Sequence, residues 1–80
     1  MAFEIKIVSK NGTEFESEVD SVTLPAKDGY ITILKNHASL ITSLNPGTIT
    51  ARFSGSKEKN IDIKGGFSEI NDNKLTVLIN

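Results

Sequence analysis

The segment Phe3-Glu4-Ile5-Lys6-Ile7 alternates apolar and charged side chains, which is the period of a half-buried β-strand. Asn11-Gly12 follows it and favours a hairpin turn, because both residue types tolerate positive φ. Beyond this turn Phe15 and Val19 alternate with glutamates, so a second strand should run back along the first. The beginning of the chain therefore predicts a β-hairpin with one apolar face.

The same period continues along the rest of the chain, broken at short intervals by turn residues. Pro25, which has no N–H for a sheet, should end a strand or lie at an edge. Gly47 is predicted to occupy a positive φ in a turn, and Gly65-Gly66 to form a bulge or corner. No segment repeats apolar residues at the helical period over three turns.

Residues 1–80 should thus form a single domain, an all-β sandwich of about ten short strands in two sheets, with no helical domain. The side chains predicted to fill its core are Phe3, Ile5, Ile7, Phe15, Val22, Leu24, Ile31, Ile33, Ile49, Ile61, Ile63, Leu75 and Val77.

Composition and charge argue against several classes of function. The net charge is −1 with both signs scattered along the chain, which is atypical of a nucleic-acid-binding protein. There are no cysteines, so neither a disulfide framework nor a cysteine-based metal site is expected. No apolar run reaches the roughly 18 residues of a membrane span, and the N-terminus lacks a secretion signal. We expect a soluble protein with no direct membrane insertion, linked to a membrane only through a partner.

His37, the only histidine, is open to three interpretations. It could act as a general base, which needs an orienting partner and a nucleophile. It could fix its own loop by a hydrogen bond, or it could contact a partner. Glu14, Glu16 and Glu18 could bind a cation but are typical of a solvated strand face, and Gly65-Gly66 matches no phosphate-binding motif. We therefore expect no metal, no cofactor and no small-molecule substrate.

Six short motifs, taken in order, carry a family resemblance. They are Leu24-Pro25, Asp28-Gly29, Asn36-His37-Ala38, Asn45-Pro46-Gly47, Gly65-Gly66-Phe67-Ser68-Glu69 and Lys74-Leu75-Thr76-Val77-Leu78. Their order and spacing resemble the N-terminal domain of the epsilon subunit of F-type ATP synthase, over nearly the whole chain. The resemblance implies a β-sandwich without an active site. It also implies a non-catalytic rotor subunit of the central stalk, which couples rotation of the membrane c-ring to ATP synthesis.

The resemblance implies two partners, the gamma subunit and the polar loops of the c-ring, the latter touched by one end of the sandwich. The positions that match the c-ring contact are Asp28, Gly29, Tyr30, Asn36, His37 and Ala38. The positions expected to face the gamma subunit are Val8, Ser9, Lys10, Leu40, Ile41 and Thr42. The implied location is peripheral, on the cytoplasmic face of a bacterial inner membrane.

Two departures from the family pattern bear on these contacts. Tyr30 stands where many members have an acidic residue, so an aromatic or hydrogen-bond contact should replace an ion pair there. Ser39 stands where the family usually has proline, which makes the loop less rigid. The family also continues into a helical hairpin that in some members binds ATP or inhibits hydrolysis. This chain stops at Asn80, so neither property is expected of it.

The alternative prediction is a secreted or surface β-sandwich module that binds a ligand such as a carbohydrate. Such modules often expose aromatic side chains in a row, whereas the aromatic residues here lie mostly at core positions. A small hydrolase is a third alternative, for which a nucleophile–base pair is missing. Phe67 and Ile70 differ in strand parity, so one of them should be exposed and could join Leu40 and Ile41 in a partner-binding patch.

Overall fold

The alternating segments of the sequence form nine β-strands joined by short connections, in a computed structural model that describes residues 2–80. The strands are β1 (Phe3–Ser9), β2 (Gly12–Val19), β3 (Ser21–Ala26), β4 (Gly29–Leu34), β5 (Leu40–Leu44), β6 (Gly47–Arg52), β7 (Glu58–Ile63), β8 (Gly66–Asn71) and β9 (Lys74–Ile79). The all-β prediction is confirmed, with nine strands where about ten were expected. Among residues 2–80 no helix is long and apolar enough to cross a membrane.

Hydrogen bonding joins the strands in the order β2-β1-β9-β8-β5-β3-β6-β7, and β4 pairs with β3. This sheet curls into two facing layers. We call β2, β1, β9, β8 and β5 the first layer, and β4, β3, β6 and β7 the second layer. One residue pair, Ala26 with Leu44, connects β3 to β5 and so joins the layers at a corner. The pair β1–β9 is parallel, whereas the other pairs are antiparallel.

The core lies between the layers and takes the apolar face of each strand. Phe15, Ile31 and Ile61 are partly buried at its margin, and the other predicted core residues are buried. The core also contains four residues that the prediction omitted, namely Val19, Leu44, Ala51 and Ile70. Full burial of a Val, Leu or Ile side chain contributes about 1.5–3 kcal/mol, so the layers are held mainly by this contact.

Pro25 lies within β3, one residue before the strand ends at Ala26. The β3–β6 pairing stops at Thr23 and the β3–β5 contact involves Ala26, so Pro25 faces a gap between two ladders. Its missing N–H therefore breaks no hydrogen bond of the sheet. Of the two predicted alternatives, Pro25 does not end the strand, but it lies at a local edge, because only β4 pairs with it.

Gly65 and Gly66 form the predicted corner between β7 and β8, with φ of 136° and 153°. A Cβ atom on Gly66 would lie 2.0 Å from the carbonyl oxygen of Leu78, so only glycine fits beside β9.

Candidate functional site

The outer face of the first layer carries three exposed apolar side chains, which we call the apolar patch. Ile41, Phe67 and Leu78 are 71%, 58% and 53% exposed. They stand on the adjacent strands β5, β8 and β9, where Phe67 pairs directly with Leu78. A shallow depression of about 200 Å³ lies between them. Contiguous apolar side chains on a soluble protein's surface typically mark a site of contact with another protein.

The turn between β3 and β4 is held by Asn45, which precedes β6 on a neighbouring connection. The backbone N–H of Asn45 donates to the Pro25 carbonyl at 2.8 Å. Its side-chain Nδ2 donates to the carbonyl of Lys27 at 3.1 Å and to that of Ala26 at 3.4 Å. Three successive carbonyl groups leading into the turn are thus bound by one residue. Asp28 is exposed beyond them, and Gly29 has a φ of 132°.

Tyr30 extends from β4 across this end of the second layer. Its hydroxyl accepts a hydrogen bond from the backbone N–H of Thr48 at 3.2 Å, while the side chain remains 60% exposed. A Cβ on Gly47 would lie 2.6 Å from the Tyr30 hydroxyl and 2.8 Å from Cβ of Pro25. Gly47 therefore provides space for Tyr30 and Pro25. The prediction of a positive φ at Gly47 was wrong, because close packing rather than turn geometry requires the glycine.

The loop between β4 and β5 is fastened to the turn between β8 and β9. Asn36, at a φ of 65°, donates its backbone N–H to Oδ1 of Asn73 at 2.7 Å. Nδ2 of Asn73 donates to Oδ1 of Asn36 at 3.2 Å, so the two asparagines bind each other reciprocally. The hydroxyl of Ser39 donates to Oδ1 of Asn71 at 3.0 Å. The loop is therefore ordered although proline is absent at position 39.

His37 makes two local hydrogen bonds within this loop. Its backbone N–H donates to the Leu34 carbonyl at 3.2 Å. Its Nδ1 lies 2.7 Å from the Ala38 carbonyl oxygen, which can only accept, so Nδ1 carries the proton. These contacts match the interpretation that His37 fixes its own loop. The imidazole is otherwise exposed, and the described hydrogen bonds give it neither a nucleophile nor an orienting carboxylate. Residues 2–80 contain no group of three or more His, Cys, Asp or Glu that could hold a metal ion.

Residues 2–80 match the family model described as the ATP synthase delta/epsilon chain, beta-sandwich domain. The chain belongs to this family. The match spans the whole described structure, so both layers, the apolar patch and the two fastened connections are parts of the family domain.

Members of the delta/epsilon family that resemble the chain in sequence are named ATP synthase epsilon chain. That of Desulfitobacterium hafniense strain DSM 10664 / DCB-2 is 43% identical over 76 residues, which is 95% of this chain and 57% of the relative. That of Leptospira borgpetersenii is 38% identical over 74 residues, covering 92% of this chain and 58% of the relative. The chain thus spans a little under three fifths of the length of these relatives.

Two solved structures agree with the architecture. A chain in the Euglena gracilis mitochondrial ATP synthase, OSCP/F1/c-ring, superposes with a TM-score of 0.91 at 20% identity, covering 98% of this chain and 50% of that one. A chain in the Tetrahymena thermophila mitochondrial ATP synthase, central stalk/c-ring, gives 0.79 at 16% identity, covering 95% and 61%. At these identities the likeness concerns the fold.

The residues predicted to touch the c-ring lie in two segments at opposite ends of β4. Asp28, Gly29 and Tyr30 belong to the β3–β4 turn and the start of β4, whereas Asn36, His37 and Ala38 follow its last residue, Leu34. A strand of this length spans about 17–20 Å. The two segments are therefore separated by the length of β4. The contacts themselves stay predictions.

The residues predicted to face the gamma subunit do not share one surface, because neighbouring residues of a strand point to opposite faces of the sheet. Val8 pairs with Leu78 and borders the apolar patch, to which Ile41 belongs. Leu40 and Thr42 point to the other side of β5 and line a groove facing Tyr30 and Ile31 of β4. Ser9 and Lys10 lie at the β1–β2 turn, where the Ser9 hydroxyl donates to Oε2 of Glu14 at 2.6 Å.

Sequence parity predicted that one of Phe67 and Ile70 would be exposed, and the exposed residue is Phe67, since Ile70 is buried. Leu78 was missed as a surface residue. Its parity, opposite to that of Leu75 and Val77 on the same strand, was the signal that could have identified it.

Exposed aromatic residues do not form a row of the kind that carbohydrate-binding surfaces use. Tyr30 and Phe67 are exposed but stand on different layers. Phe3 is buried, and Phe15 packs edge to face on Phe53, with ring centroids 6.0 Å apart. This arrangement does not favour the alternative of a carbohydrate-binding module.

Proposed function

We propose that this chain is the β-sandwich part of a non-catalytic rotor subunit in the central stalk of an F-type ATP synthase. It would bind the gamma subunit and the polar loops of the c-ring, and pass rotation of the ring to the catalytic head. In a bacterium it would lie on the cytoplasmic face of the inner membrane. The observation that carries the proposal is the family match over residues 2–80, on a domain that exposes one apolar patch.

The apolar patch is the proposed gamma-binding surface. Its three side chains lie on three adjacent strands of the first layer. Strands β8 and β9 have a paired strand on each side, and β5 pairs with β8 and, at Leu44, with β3, so the surface is stiff. Val8 extends the patch across β1. Charged side chains flank it, with Lys6 opposite Thr76 and Glu69 opposite Ile41, as in the polar rim of a protein interface. A rigid surface of this kind transmits torque without first deforming.

The β3–β4 turn is the proposed c-ring contact. Asp28 and Tyr30 are exposed there, and Asn45 and Thr48 hold the backbone and the tyrosine ring in fixed positions. The hydroxyl of Tyr30 already accepts a hydrogen bond within the domain, so the flat face of its aromatic ring would contact the c-ring. The whole of β4 separates the turn from Asn36, His37 and Ala38. These three residues would therefore touch the c-ring together with the turn only if β4 lay along the surface of the c-ring.

The decisive experiment is a binding measurement between this chain and the purified gamma subunit of the same organism. We expect saturable binding that Phe67→Ser weakens by at least about tenfold, because large apolar anchors dominate such interfaces. Leu34→Ser is the matched control, since Leu34 is 57% exposed but lies on the second layer. Absence of binding by the unmodified chain, or equal weakening by the two variants, would contradict the proposal.

A second measurement separates the two predicted ring segments. Binding to purified c-ring should weaken with Tyr30→Ala. It should weaken much less with Tyr30→Phe, which keeps the aromatic side chain. His37→Ala tests the loop at the other end of β4. Loss of ring binding with His37→Ala but not with Tyr30→Ala would assign the contact to the loop instead of the turn.

A further inference from the structure

Strand β4 borders the second layer and has an open side. Its six residues pair along their whole length with β3, and the described part of the chain supplies no strand on the other side. Between β4 and β5, the neighbouring strand of the first layer, runs a groove of about 220 Å³. An edge of this kind presents unpaired backbone groups to any strand that can reach them.

The hydrogen bonds at the two ends of β4 identify the backbone groups that face outward. The carbonyl of Leu34 accepts from His37, and the carbonyl of Pro25, which stands opposite Tyr30, accepts from Asn45. Neither group is therefore directed at its partner across the β3–β4 pair. Because direction alternates along an antiparallel ladder, Tyr30, Thr32 and Leu34 all point their N–H and C=O groups to the open side.

The composition of β4 leaves this edge unprotected. Proteins usually guard an edge strand with charged residues or proline. The edge strand β2 of the first layer carries Glu14, Glu16 and Glu18, and the edge strand β7 carries Glu58, Lys59 and Asp62. Strand β4 reads Gly-Tyr-Ile-Thr-Ile-Leu, with neither charge nor proline. Short uncharged segments rich in β-branched residues are also the ones that pair with copies of themselves.

We propose that β4 is a strand-addition edge through which two copies of this chain pair, antiparallel and related by a two-fold axis at Thr32. In this register Thr32 faces Thr32 of the second copy, and Tyr30 faces its Leu34. Both pairs consist of residues whose backbone groups point outward. The exposed side chains of Tyr30 and Leu34 become cross-strand neighbours, an aromatic–aliphatic pair that stabilises antiparallel sheets.

Charges next to β4 are compatible with this register. It sets Gly29 opposite Lys35 and Asp28 opposite Asn36 of the second copy, so no like charges face each other. A shift of one step, with the axis at Ile31, would set Lys27 opposite Lys35 of the second copy and bring like charges together. A second copy related by the two-fold axis pairs the two edges with each other, and the contact closes without propagating into a fibre.

The pairing does not depend on the proposed rotor function. If that function holds, Tyr30 belongs both to the paired edge and to the β3–β4 turn proposed to contact the c-ring. The two-copy form would then be a state of the chain outside the assembled enzyme.

The test is sedimentation velocity of the chain from micromolar to millimolar concentration, with three variants checked for folding by circular dichroism. We expect concentration-dependent dimers, which Thr32→Lys weakens by at least about tenfold by placing a charge on the edge. Thr50→Lys makes the same change on the same outer face but on the inner strand β6, and should leave the dimer unchanged. Phe67→Lys, which disrupts the apolar patch, should also leave it unchanged.

Amide hydrogen exchange of the unmodified chain gives a second reading that needs no variant. The N–H groups of Tyr30 and Thr32 should become more protected as concentration rises, whereas those of the β6–β7 loop should not. A chain that stays monomeric with concentration-independent exchange at Thr32 would overturn the proposal. A dimer abolished by Phe67→Lys but not by Thr32→Lys would overturn it as well, and would assign self-association to the apolar patch.

Discussion

The hydrogen bonds of Asn45 make the β3–β4 turn sensitive to one side chain. Asn45→Ala removes the bonds from Nδ2 to the carbonyls of Lys27, at 3.1 Å, and Ala26, at 3.4 Å, and keeps the backbone bond to Pro25. A neutral hydrogen bond contributes about 0.5–1.5 kcal/mol, and the longer bond belongs at the low end, so the loss is about 1–2 kcal/mol. In a domain of this size that lowers Tm by about 5–15 °C.

Thermal unfolding followed by circular dichroism measures this change, and amide exchange at Asp28 and Gly29 locates it. The matched control is Asn11→Ala, the same substitution in the exposed β1–β2 turn, where the described side-chain hydrogen bonds leave the Asn11 amide unused. Asn45→Asp is a second probe, because a carboxylate facing two carbonyl oxygens repels them instead of donating. If Asn45→Ala unfolds at the same temperature as Asn11→Ala, the turn is held by its backbone alone, and the reasoning fails.

Three further substitutions test other parts of the domain. Gly66→Ala would set a Cβ 2.0 Å from the Leu78 carbonyl oxygen at a φ of 153°. We expect the free energy of unfolding, measured in urea, to fall by at least about 2 kcal/mol, and an unchanged unfolding midpoint would contradict the packing argument. Ile5→Ala opens a cavity under a fully buried side chain and should cost about 2–5 kcal/mol by the same measurement, in contrast to a loss below about 1 kcal/mol for an exposed site. Asn73→Ala breaks both bonds to Asn36 and should speed amide exchange in the β4–β5 loop, while unchanged exchange there would show that the reciprocal pair does not order it.

Strand periodicity was enough to predict the fold class and most of the core. In β1 and β9, every apolar residue predicted to face inward is buried, because the second layer covers the inner face of both strands. Val19 and Leu44 were missed for different reasons. Val19 has the same parity as Phe15, so the alternation in β2 already pointed it inward, whereas Leu44 ends β5 where the chain passes towards the other layer.

The parts of the site that the sequence could not predict are those set by contacts between distant segments. Gly47 is required by Tyr30 and Pro25, which meet it only after folding. The reciprocal pair of Asn36 and Asn73 joins residues 37 positions apart.

The parallel pair of β1 and β9 has a consequence for the making of the protein. Strand β1 lies between β2, its neighbour in the chain, and β9, which follows the other eight strands in the sequence. While the nascent chain is still on the ribosome, the hairpin of β1 and β2 can form early. Without β9, however, the side of β1 away from β2 has no paired strand, and β8 pairs only with β5. The first layer cannot close until Lys74–Ile79 has emerged and both vacancies are filled by one strand. Until that moment the apolar faces of Ile5 and Ile7 are open to other molecules, so this is the stage at which a chaperone would be most needed.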